Sequence, residues 1–234
     1  MKWLDENRFV VANEGDYTGG TRGFTIFSKH GPIMYDSGMS LEYEIAAIGH
    51  YPEKRSGKRG IEAEGIEVAI FGDVRYIFVT AERASVVGVY RDTGSRPELV
   101  QLLPSGSSPE SAVAIPSRNL LVTANETDQI GKGGARAHVM IYQLSDTAPA
   151  YPQIRSLTSG DYPPIGWGAL SGLAADPVRP GILYAVNDGF YRRRPTIFTI
   201  DATTKPATIT NALRVTRHGS SATRAMIRST APGL

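Results

Sequence analysis

The sequence predicts an all-β chain, specifically a partial β-propeller of about three to four blades from a larger ring. Three observations predict it. A short apolar segment ending in Asn-Glu, or a close variant, occurs four times. A second apolar segment precedes three of the four at nearly constant distance. A third follows each one.

The four anchoring segments are Arg8-Phe9-Val10-Val11-Ala12-Asn13-Glu14, Tyr76-Ile77-Phe78-Val79-Thr80-Ala81-Glu82, Leu120-Leu121-Val122-Thr123-Ala124-Asn125-Glu126 and Ile182-Leu183-Tyr184-Ala185-Val186-Asn187-Asp188. Each is rich in β-branched or aromatic residues, as expected of a strand covered on both faces, and each stops on an acid. The preceding segments are Glu64 to Ile70, Glu110 to Ile115 and Ser171 to Ala175. From a small residue in each (Gly65, Ser111, Gly172) to the terminal acid is 17, 15 and 16 residues. Turn-formers lie between the two strands: Gly72-Asp73, Pro116-Ser117, and Asp176-Pro177 with Pro180-Gly181. The following strands are expected at Gly23 to Phe27, Val86 to Tyr90, His138 to Tyr142 and Thr196 to Ile200. A fourth is expected near Leu99 to Leu103 and again near Ala207 to Val215.

Inner strand, hairpin, second strand and two outer strands make a propeller blade. The terminal acids recur at intervals of 68, 44 and 62 residues, so the middle interval fits a bare blade and the others imply insertions. A β-sandwich also uses short strands, but it does not predict the same strand pair three times. The first unit has only Lys2-Trp3-Leu4-Asp5 ahead of Arg8, and no apolar alternation follows Arg217. The expectation is an incomplete propeller over residues 1–216 and a basic, irregular tail over 217–234. A complete four-bladed ring is the alternative, at odds with the open edge this would leave.

Composition narrows the function classes. With 25 Lys and Arg against 23 Asp and Glu, the net charge of +2 is close to neutral and gives no strong argument for a nucleic-acid or membrane-surface partner, and none is expected. Charge is nonetheless uneven. From Gly189 onward there are eight Lys or Arg against Asp201 alone, without the dense run or interleaved aromatics of a nucleic-acid tail. There is no cysteine, which removes disulfides and thiolate chemistry. No run approaches the apolar length of a membrane span.

Candidate site residues follow from the repeat. Its acids, Glu14 with Asp16, Glu82, Glu126 with Asp128, and Asp188, fall at equivalent strand ends, and Glu64 and Glu110 start inner strands. Converging carboxylates suit a hard cation such as Ca²⁺, or general acid–base work. They equally suit turns, accepting hydrogen bonds from backbone amides. The expected metal ligands are Glu14, Asp16, Glu82, Glu126 and Asp188. The insertion from Ser40 to Ala63 brings His50, Lys54, Arg55, Lys58 and Arg59 just ahead of Glu64, a set able to grip a phosphate or simply a solvated loop. Arg192, in Tyr191-Arg192-Arg193-Arg194, is a second anion contact of the same kind.

Standard catalytic signatures are missing. His30, His50, His138 and His218 have no zinc spacing. In Gly168-Ala169-Leu170-Ser171-Gly172 the serine is one position late for a nucleophile elbow. Gly131-Lys132-Gly133-Gly134 lacks the setting of a phosphate loop. Asn125-Glu126-Thr127 is formally a glycosylation sequon inside the repeat.

Three stretches resemble a known family. They are Asn13-Glu14-Gly15-Asp16-Tyr17; Tyr51-Pro52-Glu53-Lys54-Arg55-Ser56 through Glu64-Gly65-Ile66-Glu67; and Leu170-Ser171-Gly172-Leu173-Ala174 with Leu183-Tyr184-Ala185-Val186-Asn187-Asp188. They look like the bacterial phytase-like propellers known for "esterase-like activity of phytase", and like the related choice-of-anchor propellers of cell-surface proteins. The resemblance covers most of residues 3–216 and implies a secreted or periplasmic parent protein acting as a metal-assisted phosphoester or ester hydrolase. The alternative is a non-catalytic extracellular propeller that binds a ligand or ion. The partners implied are a small anionic or phosphorylated substrate and the missing blades of the parent ring. The resemblance supplies no catalytic residues.

Overall fold

A computed structural model describes residues 1–18, 20–148, 153–158 and 163–216. The basic tail expected over 217–234 lies outside them. Among the described residues the chain is all-β with one α-helix, and its strands form four separate sheets, none closed on itself. It divides into two compact units, one within Met1–Ile45 and His50–Pro149, the other within Ala46–Gly49 and Ala150–Leu234.

The first unit holds three sheets. Sheet 1 runs β1 (Lys2–Trp3), β2 (Arg8–Asn13), β3 (Gly23–Ser28) and β4 (Ile33–Asp36) in that order. The first repeat was expected to have no strand ahead of Arg8, yet a two-residue stub pairs there, Trp3 opposite Phe9. Its turn is held by Asp5, whose Oδ1 accepts from the amides of Asn7 and Arg8, each at 2.9 Å. β4 was not expected; it follows the turn at Gly31-Pro32 and pairs with β3.

The insertion after sheet 1 carries α1 (Ser40–Ala47), where the sequence reading expected a long polar loop. Leu41 and Ile45 lie four residues apart on one helical face and are fully buried. Leu41 packs into the space beside Gly88, where a Cβ would lie 3.1 Å from Leu41 Cδ1.

Sheet 2 comprises β5 (Ala63–Phe71), β6 (Val74–Ala81), β7 (Val86–Arg91) and β8 (Glu98–Pro104), and sheet 3 comprises β9 (Pro109–Ile115), β10 (Leu120–Asn125) and β11 (His138–Gln143). All pairings in both are antiparallel. The strands match the expected segments to within one or two residues.

The period of two explains the stacking of the three sheets. In β2, Val10 points toward sheet 2, where Phe24 of β3 meets Tyr90 of β7 edge-on at 4.8 Å. In β6, Ile77 and Val79 are buried on the sheet 1 side, while Phe78 joins Val87, Val89 and Leu121 in the core between sheets 2 and 3. Each middle sheet strand is therefore apolar on both faces, which is why the repeat reads as an unbroken apolar run.

The second unit holds one sheet in the order β12, β16, β15, β14, β13. These are β12 (Ile154–Ser156), β13 (Leu170–Ala175), β14 (Ile182–Asn187), β15 (Thr196–Asp201) and β16 (Ala207–Arg214). β12, not expected from sequence, pairs parallel with β16, and the other pairings are antiparallel. Ala185, Phe198, Ile200 and Ile209 form its core, with Ile165 and Trp167 packed against them.

Candidate functional site

Three acids of the first unit come together at the ends of neighbouring strands. Glu82 follows β6, Glu110 is the second residue of β9, and Glu126 follows β10. One carboxylate oxygen from each lies within 4.8 Å of the others. Backbone hydrogen bonds set the positions, since Glu82 N donates to Glu62 O and Glu126 N to Ser108 O, both at 2.9 Å. A register shift between Ala124 and Asn125 places Asn125 opposite Pro109, which turns Glu126 toward the start of β9.

The cluster is electrostatically crowded. The Glu110 carboxyl is pushed up to about 7 by burial, by a hydrogen bond shared with Glu126 and by the charges of Glu64 and Glu126, with Arg83 opposing. Burial also raises Glu82, against the pull of Arg83. The Glu82 side chain is only 3% exposed. Its Oε1 lies 2.7 Å from Arg83 Nη1, but outside hydrogen-bonding geometry, so that oxygen accepts no hydrogen bond. Arg83 also donates through Nε to Glu62 Oε2 at 2.5 Å, and Arg55 pairs with Glu62 Oε1.

Two of the five expected metal ligands, Glu82 and Glu126, thus meet in the cluster, joined by Glu110. Glu14 instead pairs with Arg59, and Asp16 accepts from the Thr18 amide at 2.5 Å and hydroxyl at 2.8 Å. Asp188 follows β14 in the second unit, its amide donating to Ala169 O at 2.9 Å. Among the expected anion contacts, His50 Nδ1 lies 3.0 Å from Ala84 O, and Lys54 is exposed. Arg55 is held by Glu62, while Arg59 lies over the Tyr17 ring at 5.3 Å as well as on Glu14. Glu64 is exposed on β5, close enough to raise Glu82 and Glu110, and Arg192 is exposed in the second unit. The bridging pair Glu62 and Arg83 was not anticipated. Its only signal in the sequence is the placement of an acid and a base beside the repeat's small residue and terminal acid.

Residues 5–95 match the choice-of-anchor I domain. The match runs from the turn before β2 to the loop after β7, taking in Glu14, Glu82 and the α1 insertion and ending before Glu110 and Glu126. No curated protein matches the sequence. Among solved structures, the hydrazine synthase of Kuenenia stuttgartiensis is similar at 11% identity and a TM-score of 0.36, covering 92% of this chain and 51% of that one. A functionally unknown protein from Desulfotomaculum acetoxidans is similar at 10% identity and a TM-score of 0.30, covering 89% and 58% respectively. The chain therefore spans about half the length of the first and less than two thirds of the second. Likeness at those scores assigns neither fold nor function to this chain.

The donor set suits a hard divalent ion. Ca²⁺ takes six to eight oxygen ligands in flexible geometry, and three carboxylates supply several while water completes the shell. Glu82 is the most buried of the three carboxylates and would share its charge between such an ion and Arg83. No helix among the described residues is long and apolar enough to cross a membrane.

Proposed function

We propose that this chain is a non-catalytic binding module of a cell-surface protein, its sheets forming blades of a partial propeller and its carboxylate cluster seating Ca²⁺. The observation that carries the reading is the meeting of Glu82 and Glu126, at equivalent repeat positions of neighbouring sheets, with Glu110 from the start of β9. The match of residues 5–95 to a choice-of-anchor domain supports an extracellular or periplasmic setting, where free calcium is abundant enough to fill a site of modest affinity. The cationic loop supports a non-catalytic reading, because Arg55 and Arg59 are engaged by Glu62 and Glu14 rather than presented to an anion. In this reading Ca²⁺ neutralises the crowded carboxylates and ties sheet 2 to sheet 3.

The test is thermal unfolding of the full chain in calcium and in chelator, beside a phosphoester hydrolysis assay on the same samples. The expected result is a higher melting temperature in calcium with hydrolysis at background. An unchanged melting temperature would remove the cation seat. Calcium-dependent hydrolysis lost in Glu110→Gln would overturn the non-catalytic assignment and favour a metal-assisted hydrolase.

A further inference from the structure

The insertion after sheet 1 holds a buried acid that the carboxylate cluster does not use. Glu42 stands in the first turn of α1 and is 1% exposed. Its Oε1 accepts from the Ile61 amide at 3.3 Å and lies 3.6 Å from Arg22 Nη1, while its buried Oε2 accepts no hydrogen bond. Buried carboxylates ordinarily collect close donors on both oxygens. One long hydrogen bond and one offset cation leave this one under-compensated.

The segment after α1 lies across this acid. Arg22, from the loop between β2 and β3, turns its other terminal nitrogen onto that segment, where Nη2 donates to the carbonyls of Ser56, at 3.0 Å, and Lys58. Gly60, at φ +59°, closes over the pair so tightly that a Cβ would fall on Glu42 Oε1 and 2.9 Å from Arg22 Nη1. Tyr51 also faces Glu42 and Arg22, and burial raises its hydroxyl. Tyr51 to Gly60 thus form a strap over Glu42 and Arg22, anchored further by Arg55 on Glu62 and Arg59 on Glu14.

We propose that Glu42 is a proton-operated fastening for this strap: carrying a proton it holds Tyr51 to Gly60 closed over α1, and ionised it loosens them. The direction follows from the geometry. Ionised, the carboxylate is held away from water with one oxygen unbonded, and opening restores its hydration. Protonated, it no longer needs that hydration and still accepts from the Ile61 amide. Burial accordingly raises the carboxyl, and the Arg22 charge and the Ile61 amide recover only part of the loss. The closed strap therefore binds the proton more readily than the open one. Closure strengthens as pH falls through the raised value and levels off below the ordinary carboxylate value. What the strap controls is the presentation of cations. Closed, Arg55 and Arg59 are taken by Glu62 and Glu14; lifted, they join the exposed Lys54 and Lys58.

The test is hydrogen–deuterium exchange on the full chain, read by mass spectrometry between about pH 8 and about pH 5 and corrected for intrinsic exchange. The amides of Arg55, Ser56, Lys58 and Gly60 are hydrogen-bonded within the strap, so their protection reports closure. In wild type that protection should rise as pH falls, by up to about tenfold per pH unit, the limit for one proton. In Glu42→Gln it should stay level, because nothing titrates at that position. Glu42→Met, of similar size and without a polar end, gives the same control should the buried amide disturb the fold. Peptides from β6 report global opening and should not follow the trend. Wild-type protection that is flat, or that falls with acid, overturns the proposal. So does a rise shared by β6, or the same rise in Glu42→Gln, which would assign the proton to another group.

Discussion

Gly65 approaches Glu110 so closely that a Cβ on Gly65 would stand 2.6 Å from the Glu110 carbonyl oxygen and 2.7 Å from Thr80 Oγ1. This contact lets β5 of sheet 2 lie beside β9 of sheet 3, and it explains why a small residue stands at this point of the repeat. A methyl group there must push backbone, which has little room to give. Gly65→Ala is therefore expected to destabilise the chain by about 1–3 kcal/mol, the usual cost of overpacking. Ser111→Ala, at an exposed repeat-equivalent position, should stay near wild type. Urea unfolding of both variants decides the point, and equal midpoints would refute it.

The same approach places Glu110 among other carboxylates, so its charge should be a liability until a cation arrives. Glu110→Gln removes one of the like charges at nearly constant shape. Without calcium it should melt no lower than wild type, while the rise produced by calcium should shrink or vanish. A variant that keeps the full calcium response would place the ion elsewhere. Scanning calorimetry in calcium and in chelator reads both effects.

A different carboxylate should dominate acid unfolding. Asp92 is buried at the end of sheet 2, where Arg8 of sheet 1 grips it with both terminal nitrogens, at 3.0 and 2.7 Å, and Arg75 adds a third contact at 3.2 Å. Burial alone would raise its carboxyl, but the hydrogen bonds from Arg8, the Gly94 amide and Arg75 outweigh it and hold the group below the ordinary carboxylate value. A lowered folded-state value means the unfolded chain binds the proton more readily. The stabilisation is therefore complete above the ordinary carboxylate value and is lost as pH falls through the lowered one. Asp92→Asn should cost about 3 kcal/mol at neutral pH, as expected for breaking a buried ion pair, and should flatten the acid limb of the stability curve. Parallel curves for the two proteins would show that Asp92 is not the titrating group.

Most of the strands were legible in the sequence because sheets covered on both faces leave continuous apolar runs, as in Tyr76 to Ala81. The elements that escaped notice are those without that pattern. β1 is two residues long, β4 is largely exposed, and α1 hides its apolar face, Leu41 and Ile45, among polar neighbours. The carboxylate cluster was half legible. The repeat pointed to Glu82 and Glu126, since equivalent strand ends in adjacent sheets lie near each other. It could not show that Glu14 is taken by Arg59, because that pairing depends on how the α1 insertion folds back. Nor could it rank Glu110 above Glu64. Both begin inner strands, and only side-chain direction puts Glu110 among the ligand oxygens.

Buried ion pairing in the insertion makes its own prediction. Glu62 is buried, with Arg55 on one carboxylate oxygen and Arg83 on the other, and Arg83 also faces Glu82. Glu62→Gln keeps the shape but removes the charge that both guanidinium groups balance. Arg55 and Arg83 are each about one third exposed, so water compensates part of the loss, and the expected cost is about 2 kcal/mol. The more telling readout is calcium. With Glu62 neutral, Arg83 is free to turn fully onto Glu82 and compete with the ion, so calcium affinity should fall although Glu62 is no ligand. Isothermal titration with Ca²⁺ on wild type, Glu62→Gln and the double variant Glu62→Gln/Arg83→Gln measures this. Restored affinity in the double variant is the expected outcome. Unchanged affinity in Glu62→Gln would show that Arg83 does not govern the site.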